Sequence, residues 1–169
     1  MLEMNDIVSY GAQGVCRITG LTEKHFGDVT MEYYVLEPVY QKNSTIFVPI
    51  NNDKLVAKMR KILSADEVYE LIRTVPDQQV EWIEDENQRK QQYQEILSSG
   101  DKRRLMRTIK ALYTHRKEQY AKGKKLHQCD ERFFKEAEDL LYNEFALVLD
   151  IKPDQVLPFI IGQIEGKTE

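Results

Sequence analysis

The sequence predicts an α+β protein of two domains, a small curled antiparallel sheet or barrel followed by an all-α domain. Three observations predict it. β-rich runs separated by turn residues are confined to the stretch from Asn5 to Pro49, helical periodicity takes over beyond about residue 80, and a proline break, Thr74-Val75-Pro76-Asp77, separates the two regimes. At 169 residues, 41% hydrophobic and 31% charged, the chain can fill one ample core or two small ones, and the composition is that of a soluble globular protein rather than a disordered one.

The first domain is expected over residues 1–62. Ile7-Val8-Ser9-Tyr10, Val15-Cys16-Arg17-Ile18, Tyr33-Tyr34-Val35-Leu36 and Thr45-Ile46-Phe47-Val48 read as strands, punctuated by Gly11, Gly14, Gly20, Gly27-Asp28 and Lys42-Asn43-Ser44. Four short strands at this spacing suit a small curled sheet or barrel, with a possible fifth strand between Lys58 and Ile62. Ser64-Ala65-Asp66-Glu67 is a capping box opening a short helix with Val68, Leu71 and Ile72, which Pro76 ends. Residues 63–79 are thus a short helix and linker.

Residues 80–169 form the all-α domain. Its first helix is expected over 80–98, with Ile83, Tyr93, Ile96 and Leu97 inward and Gly100 as the left-handed stop. Asp101 is a natural N-cap for the next helix, whose stripe is Leu105, Ile109 and Leu112 beside Met106 and Tyr113; Lys122-Gly123-Lys124 breaks it. A third, over 130–149, buries Phe133, Ala137, Leu140, Leu141, Phe145 and Val148, and a last short helix follows Pro153-Asp154.

Several function classes are disfavoured. The N-terminus has no basic region followed by an apolar run, and the longest apolar stretch, 145–149, is too short to cross a bilayer, so a cytosolic location is expected. Cys16 and Cys129 stand far apart without CxxC, and His25, His115 and His127 have no HxxxH or HExxH spacing, so neither a disulfide framework nor a metal site is signalled. GxxxxGK[ST] and GxSxG are absent, Gly11-Ala12-Gln13-Gly14 lacks dinucleotide-loop spacing, and acid pairs such as Asp85-Glu86 read as exposed helix faces. No catalytic residue and no cofactor is expected.

Two features remain. Between Lys102 and Lys125 stand ten basic residues and one acid, Glu118, whereas 130–150 carries seven acids and two bases, so the net charge of -4 conceals a basic helix beside an acidic one. Such a strip either pairs with the acidic helix or faces a phosphate backbone. The single tryptophan, Trp82, sits among polar residues in Glu81-Trp82-Ile83-Glu84-Asp85-Glu86. It is either a core indole packed against Tyr93 or Leu105, or an apolar wedge of the kind that separates base steps.

Asn5-Asp6-Ile7-Val8-Ser9-Tyr10-Gly11-Ala12-Gln13-Gly14-Val15, Glu32-Tyr33-Tyr34-Val35-Leu36 and Phe47-Val48-Pro49, then Trp82, Leu97-Ser98-Ser99-Gly100-Asp101 and Glu138-Asp139-Leu140-Leu141-Tyr142-Asn143-Glu144-Phe145-Ala146, together resemble the CarD/CdnL family of bacterial transcription regulators. The amino-terminal domain of that family is similar to the RNA-polymerase-interacting domain of the transcription-repair coupling factor. The resemblance spans nearly the whole chain and implies a Tudor/SH3-like barrel that binds the RNA polymerase β subunit. It also implies a helical domain that sets its tryptophan at the upstream edge of the melted promoter, stabilising the open complex. Carried over by position, it assigns polymerase contacts to Lys24, Phe26 and Phe47, the last standing where well-known members have arginine. DNA contacts fall to Trp82, Arg89, Lys90 and Arg132, with promoter double-stranded DNA as the second partner and a monomer favoured. The alternative is a protein-interaction adaptor that does not bind DNA and has a helical dimerisation domain.

Overall fold

The computed structural model describes residues 2–41, 43–75 and 82–167. The chain divides into two compact units, Met1–Ile62 and Leu63–Glu169.

In the first unit β1 (Ile7–Tyr10), β2 (Val15–Phe26), β3 (Val29–Pro38), β4 (Ile46–Pro49) and β5 (Met59–Lys61) form one antiparallel sheet in the order β4-β3-β2-β1-β5. All four expected strands and the fifth are present. β2 and β3 run far beyond the residues that alternate in the sequence, because the two-residue turn at Gly27-Asp28, with Gly27 at φ 62°, pairs Phe26 with Val29 and extends the ladder into solvent. The ladder slips at Ile18/Gly20, where Thr19 is left over and its hydroxyl donates to the Val35 carbonyl at 3.3 Å.

The sheet stays open. β4 and β5 are its two edges, and the chain passes between them through α1 (Asp53–Ala57), which the sequence reading did not contain. Asn52 caps α1 by accepting the Leu55 amide at 3.2 Å, and Leu55 and Val56 pack against the core of Val8, Cys16, Ile18, Leu36, Val48 and Met59. The curled sheet is therefore the form adopted rather than the closed barrel, with α1 in contact with both edge strands. Burial raises the Cys16 thiol to about 11, so it is a plain core side chain.

The second unit is helical: α2 (Ala65–Thr74), α3 (Glu86–Ser99), α4 (Lys102–Ala121), α5 (Gln128–Leu149) and α6 (Pro153–Lys167). The capping box opens α2 as expected, the Ser64 hydroxyl accepting the Glu67 amide at 3.2 Å and the Glu67 carboxylate accepting the Ser64 amide at 3.1 Å. α2 is more than a connector. Val68, Leu71, Ile72 and Val75 lie in the same core as Tyr93, Ile96, Leu105, Leu112, Phe133, Leu141 and Phe145. Pro76 and the rest of the expected linker lie outside the described residues. Gly100, at φ 72°, ends α3 in the left-handed conformation, and Asp101 caps α4 by accepting the Arg104 amide at 3.0 Å. α6 is longer than the short helix expected.

One buried ion pair fastens this core. Lys102 and Glu144 approach to 3.4 Å with both side chains buried, and the second Glu144 oxygen accepts the Leu63 amide at 3.2 Å. A buried charge deprived of its partner is strongly destabilising, whereas replacing both members by apolar groups is often tolerated. Glu144→Ala is expected to lower the unfolding free energy by about 3 kcal/mol or more, read from the denaturant midpoint, while Lys102→Met combined with Glu144→Leu recovers much of the loss. Equal stability of Glu144→Ala and wild type is the contrary outcome.

Candidate nucleic-acid interface

Trp82 lies outside any helix. The sequence periodicity placed it in a helix over 80–98, but α3 begins at Glu86, and Val80 and Glu81 lie outside the described residues. Two interactions stop α3 from extending back. Asp85 caps it, accepting the amides of Asn87 at 2.8 Å and Gln88 at 3.3 Å. Arg89 takes the carbonyls just before the cap, its Nη1 donating to Ile83 and to Glu84, each at 3.0 Å. Residues 82–85 are thereby laid out as a short segment against the bundle.

Arg89 is itself held from the far side. Its Nε donates to Asp130 Oδ1 at 3.0 Å and its Nη2 to Oδ2 at 2.9 Å, a bidentate pair in which both side chains are buried. Tyr93 adds its hydroxyl to Asp130 Oδ1 at 2.6 Å and stacks on Phe133, with ring centroids 4.0 Å apart. Burial, then the Asp130 carboxylate, drives the Tyr93 phenol far above its ordinary range, so it stays protonated and donating. Arg89, expected on DNA, is thus occupied inside the fold. Its guanidinium is spent on Asp130 and on the Trp82 segment, which makes it a structural anchor.

The indole is partly buried and packs against the helical core. His115 of α4 is stacked on it, at 3.7 Å between centroids and 14° between planes, and the Arg89 guanidinium lies 4.8 Å from the ring centroid. The ring is anchored to the core yet keeps surface exposed. Burial holds the His115 imidazole below its ordinary value; Glu118, Asp130 and Glu84 pull it up and Arg89 pushes it down. It is neutral at pH 7.

Lys90 is exposed and pairs with Glu86 at 3.6 Å, one turn back on α3, and Arg132 is exposed on α5. The basic strip of α4 proves to be two populations. At its start Lys102 is paired with Glu144, Arg103 with Glu70 at 3.7 Å and with the Thr74 hydroxyl at 2.9 Å, and Arg104 with Glu95 at 3.6 Å. Farther on, Arg116 lies over Phe134 and Lys117 over Tyr113, while Lys122, Lys124 and Lys125 are exposed and form no ion pair among the described residues. The cations left to solvent therefore gather from Lys117, near the end of α4, to Lys125 in the turn that follows it. Residue counting found the strip but not this division, because the partners are distant in sequence.

On the sheet, strand register puts Lys24 of β2, Tyr33 of β3 and Phe47 of β4 on the face opposite the buried Leu36 and Val48. Lys24 Nζ lies 3.7 Å from the Phe47 ring centroid and 5.4 Å from that of Tyr33, and the two rings meet edge to face at 6.3 Å. Phe26 shares this face two residues beyond Lys24, and Phe26, Val29 and Phe47 are exposed. Three residues carried over from the resemblance thus converge on one patch, to which Tyr33 and Val29 add apolar surface that the sequence reading did not single out.

The two units correspond to two domain families. The CarD-like/TRCF RID domain matches residues 2–63, and the CarD C-terminal domain matches residues 67–160. The chain belongs to the CarD family. It is, at that level, a transcription regulator that interacts with RNA polymerase. Comparison with curated proteins finds no match. Among the described residues of this CarD-family chain, no helix is long and apolar enough to cross a membrane, and no three His, Cys, Asp or Glu side chains are grouped to hold a metal.

The His115 environment gives a test. The folded protein takes up this proton less readily than the unfolded chain, so the unfolded state binds more protons just below the ordinary value of 6.5, and stability is lost as the pH falls through that window. The emission of Trp82, the only tryptophan, is expected to change with a midpoint below pH 6.5, and the step should vanish in His115→Phe. A midpoint above 6.5 contradicts the burial.

Proposed function

We propose that this CarD-family protein is a non-enzymatic, cytoplasmic regulator of initiation that binds the polymerase β subunit through the sheet unit and stabilises the open promoter complex through Trp82. The observation that carries this reading is the mounting of Trp82: a partly exposed indole stacked on His115 of α4 and held by Arg89 of α3, itself fixed by Asp130 of α5, with exposed lysines at and just beyond the end of α4. An apolar side chain held this way can hinder separated strands from restacking without reading their sequence, and each 1.4 kcal/mol of preference for the open state shifts its population tenfold.

Lys117, Lys122, Lys124 and Lys125, with Lys90 and Arg132, are the groups left to meet phosphates. Helical rise sets Lys122 roughly 10 Å along α4 from His115, a separation of one or two phosphates. On the sheet, the exposed patch of Phe26, Val29 and Phe47 with Lys24 supplies an apolar centre and one charge for docking on the β subunit.

Trp82→Ala is expected to shorten the open-complex lifetime by about tenfold while leaving polymerase binding unchanged, and Phe47→Glu should do the reverse, weakening polymerase binding by about tenfold or more. Loss of both properties in either variant, or of neither, defeats the assignment. Charge reversal at Lys122, Lys124 and Lys125 should flatten the salt dependence of DNA association by about three phosphate contacts.

One observation favours the adaptor reading. A hollow of about 400 Å³ between α4, α5 and α6 is lined by Ile109, Phe134, Leu141 and Ile160, and Tyr113, Leu157 and Ile161 stand exposed at it. DNA association that hardly responds to salt, with binding lost on Leu157→Asp, would turn the assignment that way.

A further inference from the structure

Arg89 touches both the backbone around Trp82 and its ring, whereas His115 touches the ring. Arg89 fixes the carbonyls of Ile83 and Glu84, which sets the path of the segment, and its guanidinium lies 4.8 Å from the indole centroid. Among the described residues the aromatic stacked on the indole is His115, at 3.7 Å and nearly parallel. That histidine projects from a stretch of α4, Tyr113 to Tyr120, that is otherwise polar or solvent-facing, and among the described residues it forms no hydrogen bond or ion pair. A flat ring is the property it brings to this position.

An indole that must oppose the stacking of a base pair needs a firm backing. A mobile side chain would lose rotamer freedom on engaging DNA, whereas one already pinned against a flat surface has met that cost on folding. We propose that His115 is a positioning residue for Trp82: its imidazole stacks on the indole and, beside the Arg89 guanidinium, holds the ring in the pose used at the bubble edge. This rests on the wedge reading of Trp82 and adds the residue that makes the wedge rigid.

The experiment combines two readouts on wild type, Trp82→Ala, His115→Ala and His115→Phe. Time-resolved fluorescence anisotropy of Trp82 in the free protein reports ring mobility without reference to DNA. Open-complex lifetime with polymerase and the full chain reports function. His115→Ala is expected to add a fast local component to the anisotropy decay and to shorten the lifetime by about three- to tenfold, at unchanged polymerase affinity. His115→Phe, which keeps a flat ring, should restore both.

An indole in His115→Ala as rigid as in wild type overturns the inference. So does a mobile indole with an unchanged lifetime while Trp82→Ala shortens it, which leaves the wedge reading standing. A lifetime unaffected by Trp82→Ala removes the wedge and the inference together, whatever the anisotropy shows. Should His115→Ala unfold, His115→Gln replaces it, with the same outcomes deciding.

Discussion

The helical unit depends on one buried carboxylate. Asp130 accepts from Arg89 twice and from Tyr93 once, so an acid almost sealed from solvent is met by three donors at hydrogen-bonding distance. Buried ion pairs contribute little net stability against an apolar replacement, since desolvation consumes most of the attraction; what they impose is geometry. A bidentate guanidinium fits one orientation of α3 against α5. The same guanidinium then has Nη1 free to bind two carbonyls, and the chain before α3 must run where those carbonyls can be reached. The position of Trp82 is the end of that sequence of constraints.

The second buried pair works by the same rule at another place. Glu144 binds Lys102 and the amide of Leu63, the residue at which the helical unit begins, so a charge on α5 ties down both the start of α4 and the entry of the chain. Of the two pairs, Lys102–Glu144 joins the basic α4 to the acidic α5 and Arg89–Asp130 joins α3 to α5. Charge is neutralised where the helices pack and accumulates where they do not, at Lys122, Lys124 and Lys125. A protein of net charge -4 thereby keeps a locally positive end.

Local rules read the sequence well where the cause is local. The Ser64 capping box, the Asp101 cap and the Gly100 stop each rest on residues within one helical turn, and the stripe of Leu105, Ile109 and Leu112 is buried as its period requires. α1 was missed because five residues carry no detectable period, and the outer halves of β2 and β3 because a hairpin exposed on both faces does not alternate. The candidate site was legible in part. Trp82 and the residues of the Lys24, Phe26 and Phe47 patch could be named from the sequence, but the ion pair that occupies Arg89 could not, because Asp130 lies 41 residues away and only packing brings the two together. His115 gave no signal at all: an isolated histidine on a helix acquires meaning from the ring it faces.

The two-unit plan bears on how weak the DNA contacts can afford to be. A handful of exposed lysines on a net acidic chain gives little affinity for free duplex at physiological salt. On the proposed function this is no obstacle, because docking of the sheet unit on polymerase turns the DNA contact into an intramolecular one, at an effective concentration that short tethers bring to the millimolar range. A contact of millimolar affinity is then substantially occupied. The indole has only to prefer melted over closed DNA, and the lysines only to orient the backbone beside it. Strong independent DNA binding would work against such a device, since it would hold the protein on duplex away from polymerase. On that proposal the internal consumption of α4 charges by Glu70, Glu95 and Glu144 would serve the assembly twice, packing the helices and keeping the free protein off DNA.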